Sequence, residues 1–475
     1  MRFCWDALAC DRRASFGNDT SALGKSGYMK GIGMKHRTFV MATLVVIIGQ
    51  AALGFPDDLS VEILEGRLKE KVTLSDLMVY ATETNPSVQA AREAWKAAVE
   101  KYRVVTAYPD PQFMVTYFQE PIETRLGPQD WNITLSQMIP FPGKLSKAGD
   151  VMAVDTRIAR LNADKTVRDV AVAIRESYHE LLYIQTAREV AAHNAALLEE
   201  LQRMGEAAYA RDRTAFMDVV KAQSQTGQIR YDILLLEELE VTEKTRINGL
   251  LNRPPEASLG PVVRMSPAPM VFDLEALYPM IQTQTEEIRM ADLKVEKAGF
   301  QKSLATYENL PEFRVGVFYA GIGHPDVAMP PPNAGDDAIG FQFGMSLPLW
   351  FDKNLGRNAQ ARAEIRRSLA EKHAAVNEIS TRIRTVFFKL RNAERLITLY
   401  RNDLLPQALK ALGTAETWFR EGQGSFSDFV ETQATVYNFQ LSLARAEADY
   451  GKALANLERL TGASLTTQPT DGGAP

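Results

Sequence analysis

Few side chains in this 475-residue chain are placed to do chemistry. His179, His193, His324 and His373 are scattered, without the His-x-x-x-His or carboxylate spacing that makes a metal site. His179 and His193 read as a solvated helix face. His324 and Met329 lie in a Gly-Pro-rich loop, where turn chemistry accounts for them. There is no Gly-rich phosphate loop and no Ser-His-Asp arrangement, so neither an enzyme nor a cofactor or metal site is expected. What remains is charge and backbone freedom in one stretch, Trp418 to Glu431. Gly422 and Gly424 interrupt a helical pattern and let the backbone turn tightly. Arg420 and Glu421 precede that turn. Asp428 and Glu431 follow it, three residues apart and so on one face of the outgoing helix; the plain alternative is a solvated helix surface.

The elements that must position these residues are long helices. From Gly143 to about Met204 no proline interrupts, and Val167, Ala171, Ile174, Tyr178 and Leu181 follow the 4-3-4-3 spacing of a coiled-coil seam. Such a helix would run about 90 Å. A bend at 205–215 leads into a return helix from Phe216 to Leu251, which Asn252, Pro254 and Pro255 end. Upstream, 56–71 reads as a short mixed segment and 73–105 as one helix with a local irregularity at Asn85 and Pro86.

The whole plan then repeats after a linker at 256–271. Leu274 and Leu277 answer Leu74 and Leu77, and Pro348 answers Pro140. Phe419, Phe426, Asp428 and Gln433 answer Tyr209, Phe216, Asp218 and Gln223, all 210 residues on. Asp218 has no acidic partner three residues on, because that position is Lys221. The expected organisation is a first repeat at 55–255, with strands at about 112–119 and 131–139, and a second at 272–463, with strands at about 313–320 and 339–347. The two turns are expected at 205–215 and 413–425, and a disordered tail at 464–475.

Residues 34–54 have a basic start, an apolar centre and a small-residue end, the pattern of a secretory signal peptide behind an upstream extension, so 1–54 are expected to be removed. That removal takes seven Lys/Arg and three Asp/Glu, leaving 47 against 56. Nucleic acid is therefore not an expected partner. Both cysteines, Cys4 and Cys10, lie in the removed part, which excludes disulfides and thiolate sites.

No later helix is apolar enough to span a bilayer. The strands differ. Phe113, Tyr117, Trp131, Ile133, Phe313, Tyr319, Phe341 and Phe343 fall on one parity. Asn132, Thr134, Ser136, Arg314, Gly316, Gln342, Gly344 and Ser346 fall on the other. Apolar out and polar in is the transmembrane barrel pattern, and four strands alone cannot close a barrel. A soluble two-layer domain on a coiled-coil stalk is the alternative at this point. Each β-layer passes into a long helix through a proline junction, Pro140, Pro142 and Gly143 in the first repeat and Pro348 in the second.

The duplicated plan resembles the TolC-type outer-membrane efflux proteins over residues 72 to 463. The motifs that carry it are LSQMIPFPGK, AYARDRTAFMDVVKAQ, WFREGQGSFSDFVETQ and ALANLERLTGASL, and the GK-type junction is most similar to the heavy-metal branch of CzcC and CusC relatives. The resemblance implies a mainly α fold with a small β-barrel. Three copies would form a twelve-stranded outer-membrane barrel on a long α-helical coiled-coil tunnel in the periplasm of a Gram-negative cell. It implies a passive duct that exports metal ions or small toxic compounds. The partners would be outer-membrane lipid, a periplasmic adaptor protein and an inner-membrane resistance-nodulation-division pump. Tyr209 and Thr214 of the first turn and Phe419, Gly422 and Gly424 of the second would then dock the adaptor. Asp428 and Glu431 would face the pore at its constriction, and Arg420 and Glu421 would link neighbouring protomers at the closed tip. The other reading is a periplasmic coiled-coil adaptor or scaffold, but that would carry one hairpin between split β-halves, not two hairpins in tandem.

Overall fold

The computed structural model describes residues 57–210, 216–265 and 268–466. The expected signal peptide, the far end of the tail and Thr214 lie outside them. The chain runs α1 (Asp57–Glu70), α2 (Leu74–Thr84), α3 (Pro86–Thr106), β1 (Gln112–Thr124), β2 (Gly127–Ile139), α4 (Lys144–Tyr209) and α5 (Phe216–Leu250). The second copy runs α6 (Leu274–Gln284), α7 (Glu286–Tyr307), β3 (Phe313–Ile322), β4 (Ala338–Met345), α8 (Phe351–Thr398), a π-helical segment (Leu399–Leu404), α9 (Leu405–Glu421) and α10 (Phe426–Thr461). It is a mostly helical molecule with one small antiparallel sheet.

Three expectations are corrected locally. The leading segment is the helix α1. The helix expected over 73–105 is two helices, because Asn85 turns out of helical geometry and caps the next one. Its side chain accepts from the amides of Ser87 (2.9 Å) and Val88 (3.2 Å), and Pro86 has no N–H to continue the ladder. The second repeat breaks at the same place, at Thr285, whose hydroxyl donates 2.6 Å to the carbonyl of Leu460. The strands expected at about 112–119 and 131–139 run on toward each other, so that only Arg125 and Leu126 are left as a two-residue turn between β1 and β2.

The four strands form one sheet in the order β1-β2-β3-β4. Register keeps a single parity across all of them. Tyr117 pairs with Trp131, Ile133 with Tyr319, and Val317 with Phe341, so Phe113, Val115, Tyr117, Ile133, Val317, Tyr319, Phe341 and Phe343 share one face. Asn132, Thr134, Ser136, Gly316, Gln342 and Gly344 share the other. Phe341 is 86 % exposed and Tyr117 76 %, so the apolar face has nothing packed on it.

The proline junctions differ. Pro140 and Pro142 precede α4 instead of occupying its first turn. Gly143 is the N-cap with φ +90°, where a Cβ would stand 2.8 Å from the Tyr307 ring. Phe141 stacks on Phe313, and Lys144 pairs with Glu312. Past Pro348, by contrast, Leu349, Trp350 and Phe351 are exposed.

Three cores hold the helices. Leu64, Leu68, Leu77 and Tyr80 pack on Ile174, Tyr178, Leu181 and Ile247. The equivalent in the second repeat sets Leu274, Leu277 and Ile281 against Ile383, Leu390, Tyr450 and Leu457. The third joins the repeats: Ala187, Ala191, Leu198 and Leu201 of α4 meet Phe426, Phe429, Val430 and Tyr437 of α10. No helix among the described residues is long and apolar enough to cross a membrane.

Candidate functional site at the helical turns

The second turn is shorter than expected because α9 runs on to Glu421. Gly422 takes φ +76°, and its amide donates 3.1 Å to the Phe419 carbonyl. Gln423 and Gly424 both donate to Trp418, at 2.8 and 3.0 Å. This is a left-handed glycine cap, and a side chain at Gly422 would strain it. Ser425 starts α10, its hydroxyl accepting 3.0 Å from the amide of Asp428. Asp428 therefore sits in the first turn of α10, where the exposed amide ends favour a carboxylate.

Phe419 is not the exposed contact the sequence suggested. Its ring is partly buried, 5.2 Å from Phe426 and 6.1 Å from Phe429, and packs against the core of the tip. The exposed aromatic is its neighbour Trp418, 54 % exposed. At the first turn α4 continues to Tyr209, and Gly205, where a bend was expected, lies buried inside the helix. A Cβ on Gly205 would stand 2.8 Å from the Phe426 ring. Tyr209 is half exposed and its ring stands 5.7 Å from Phe216. Phe216 and Met217 are 60 % and 65 % exposed. Sequence reasoning placed neither of them, nor Trp418, at the surface. The repeat matched Phe216 to Phe426, but only Phe426 finds a glycine on a neighbouring helix to rest against.

Asp428 and Glu431 both lie exposed on the first two turns of α10. The structure adds a residue to them. Lys221 of α5 donates 3.1 Å to the Ser427 hydroxyl and approaches Glu431 to 3.8 Å. The position that lacks an acid in the first repeat thus brings a cation to the acid of the second. The pair is more than half exposed on both sides and holds the hairpins together weakly. Arg420 pairs with Glu416 one turn back, at 2.6 Å, so within one chain it is engaged along its own helix.

His179 corrects another reading. It does not lie on a solvated face but against Gly451 of α10, where a Cβ would collide with its ring. Burial first, then the charges of Lys452 and Arg175, push its pKa down to about 4. Among the described residues no group of three or more His, Cys, Asp and Glu is arranged to hold a metal ion.

Residues 277–463 match the sequence model of the outer membrane efflux protein family. No curated protein sequence matches the chain. Solved structures share its fold at low identity. The outer membrane protein VceC of Vibrio cholerae is 16 % identical, with TM-score 0.68 over 82 % of this chain and 96 % of its own. CusC, whose structures concern transmembrane channel formation, is 12 % identical, with TM-score 0.69 over 82 % and 92 %. The Campylobacter jejuni CmeC outer membrane channel is 11 % identical, with TM-score 0.63 over 83 % and 86 %. CusC stands no nearer than VceC. The second repeat of this chain thus matches the outer membrane efflux protein family, and both repeats together have the fold of solved outer-membrane channels.

Proposed function

We propose that three copies of this chain close into the outer-membrane channel of a tripartite efflux system. It is a passive exit duct, coupled through a periplasmic adaptor to an inner-membrane resistance-nodulation-division pump. The observation that carries the reading is the sheet. Its two edges, β1 and β4, are paired on one side only. One face is apolar in register across all four strands and uncovered. Four strands per copy need other copies to close, and lipid is the medium that suits the apolar face. The helical layer supports the same closure. Tyr231, Leu234 and Val241 on α5 and Phe388 on α8 leave both of its edges apolar and exposed.

In this reading Asp428 and Glu431 line the constriction, with Lys221 offsetting part of their charge. The adaptor meets Tyr209, Thr214, Gly422 and Gly424, together with the exposed Phe216, Met217 and Trp418, while Phe419 shapes the tip from beneath. Arg420 and Glu421 link protomers when the tip is closed. The cargo, metal ions or small toxic compounds, is chosen by the pump.

The protein should fractionate with outer membranes, run as a trimer in mild detergent and conduct in planar bilayers; recovery as a soluble monomer from the periplasm would sink the reading. Charge at Phe343 or Ile133 should cost about 2–4 kcal/mol near the midplane of the bilayer, and the same change at Gln342 or Thr134 should be mild. Asp428→Asn with Glu431→Gln should lower cation preference while leaving the trimer intact. Arg420→Ala should instead raise conductance and leave cation preference in place.

A further inference from the structure

The two repeats meet along one strand seam inside the chain, where β2 pairs with β3. The outer strands β4 and β1 are the counterparts of those two, so each contact of the inner seam has a counterpart on the outside. β1 and β3 correspond at 200 residues, with Pro111 and Phe113 matching Pro311 and Phe313. For β2 and β4 the prolines Pro140 and Pro348 suggest one correspondence, and the strand pairing fixes another. Ser136 stands opposite Gln112 in the first hairpin. In the second, the Ser346 amide donates 2.8 Å to the Glu312 carbonyl, and the Ser346 hydroxyl accepts 2.8 Å from the Glu312 amide. Ser346 is thus the counterpart of Ser136, and β4 follows β2 at 210 residues, as the turns do.

The outer positions carry what the inner seam uses, changed in matched pairs. Inside, Phe141 stacks on Phe313 at 6.3 Å. The counterparts, Phe351 and Phe113, are both aromatic and both exposed. Inside, Lys144 pairs with Glu312. The counterparts, Asn354 and Gln112, are two amides, each a donor and an acceptor. Inside, the Tyr307 ring leaves no room for a Cβ on Gly143. The counterparts are Ala107 and Lys353, a small residue where the ring was and a side chain where the glycine was. An edge that faced only lipid or water would have no reason to change both members of each contact together.

The strand ends agree. β2 runs past Ser136 to Ile139 because Val315, Arg314 and Phe313 of β3 pair with it there. β4 stops at Met345, and the Leu349 amide folds back onto the Leu347 carbonyl at 2.9 Å. The neighbour that would extend β4 is the counterpart of β3, which is β1. Pro348 does not obstruct it. Amides along a strand point to alternate edges, and that of Ser346 points to β3, so the Pro348 nitrogen faces β3 as well and Leu347 presents its amide outward.

We propose that the seam between copies repeats the seam within the chain. β4 pairs with β1 of the next copy in the β2–β3 register, Ser346 opposite Thr116, with Phe351 stacked on Phe113 and Asn354 hydrogen-bonded to Gln112. Such a head-to-tail contact can close into a ring. The proposal rests on the channel reading, which requires copies to close but leaves their register open.

The test is oxidative cross-linking of the full chain in outer membranes, with Cys4 and Cys10 replaced by serine. In Thr116→Cys with Ser346→Cys the thiols lie directly opposite at a non-hydrogen-bonded position, Cβ atoms about 4.5 Å apart, and form a disulfide between copies. Within one chain the two positions are three strand spacings apart, about 14 Å, so no internal bond competes. Thr116→Cys with Gly344→Cys tests the register that matches the prolines; a Cβ at Gly344 meets nothing closer than 3.9 Å, so the variant is tolerated. Two residues off, its thiols stand about 7 Å apart and oxidise about tenfold more slowly. Covalent dimers and trimers from the Ser346 pair, and few from the Gly344 pair, are the expected result. The reverse, or a trimer that neither pair cross-links, overturns the register while the channel reading stands. Failure of the unmodified protein to form a trimer overturns both. Should a cysteine variant not assemble, Gln112→Glu with Asn354→Lys decides: the double variant's trimer should dissociate at a higher temperature than the two single variants add up to, and strict additivity overturns the proposal.

Discussion

The contact between α4 and α10 is built in two ways along its length. In its upper part, near the strands, the helices are joined by charge. Asp169 and Glu287 share Arg459 (2.6 Å to each), Arg175 meets Glu458 (2.5 Å), and Glu180 accepts from Lys452 and Arg445. In its lower part, toward the turns, the same helices meet through Ala187, Ala191 and Ala195. These small residues at four-residue spacing let Phe429, Val430 and Tyr437 approach closely. A lone polar pair, Gln433 donating to Asn194, interrupts that apolar stretch and leaves Asn194 Nδ2 and Gln433 Oε1 without partners. One helix pair therefore has a half that responds to salt and pH and a half held by burial. Only the second half leads to the turns.

Four measurements break or sharpen that contrast. Phe426→Ala removes a ring that is 1 % exposed and rests on Gly205, and the loss of the side chain and the cavity left behind should cost about 3–5 kcal/mol in denaturant unfolding. A loss near zero would mean the lower half is not held by burial.

The second measurement is a pH profile. The His179 pKa is depressed to about 4 on folding, so between roughly pH 6.5 and 4 the unfolded chain binds the extra proton and the folded one does not. Stability should fall as pH drops through that window, by on the order of 3 kcal/mol, and be level above it. His179→Gln should flatten the profile. Asp169 acts lower on the scale. Burial alone would raise its pKa, but the hydrogen bonds from Arg459 and Lys165 win and hold it down, so its contribution is kept above the ordinary carboxylate range and lost only in stronger acid.

Arg459→Met leaves Asp169 and Glu287 without their shared donor and should cost about 1.5–3 kcal/mol, the scale of hydrogen bonds to charged groups. The loss should be smaller when measured in high salt. Last and smallest, Lys221→Met should change stability by less than about 1 kcal/mol, since its pair with Glu431 is exposed. In the channel proposed above, loss of this cation should strengthen cation preference in planar-bilayer recordings.

Much of the plan was legible in the residues. Strand parity is a period of two that survives any packing, so Ile133 and Phe343 could be assigned to the apolar face without coordinates. The duplication located the second turn from the first. Gly422 announced a left-handed cap, because that backbone disfavours any other residue. Side-chain fate at the turns was not legible. Phe419 and Trp418 are adjacent aromatics at the end of one helix, and nothing local says which of them turns inward. That is decided by Phe426 and Phe429, which come from the far side of the turn.

What the sequence by itself determined are the periodic and local properties: long helices, alternating strands and glycine turns. What only the tertiary structure decided are the meetings between repeats. Lys221 reaches Glu431, Phe426 rests on Gly205, and His179 packs against Gly451. The reason is physical. A helix repeats every 3.6 residues whatever lies beside it. Which of its faces touches a partner some 200 residues away depends on how three helices cross, and no spacing within any one of them records that.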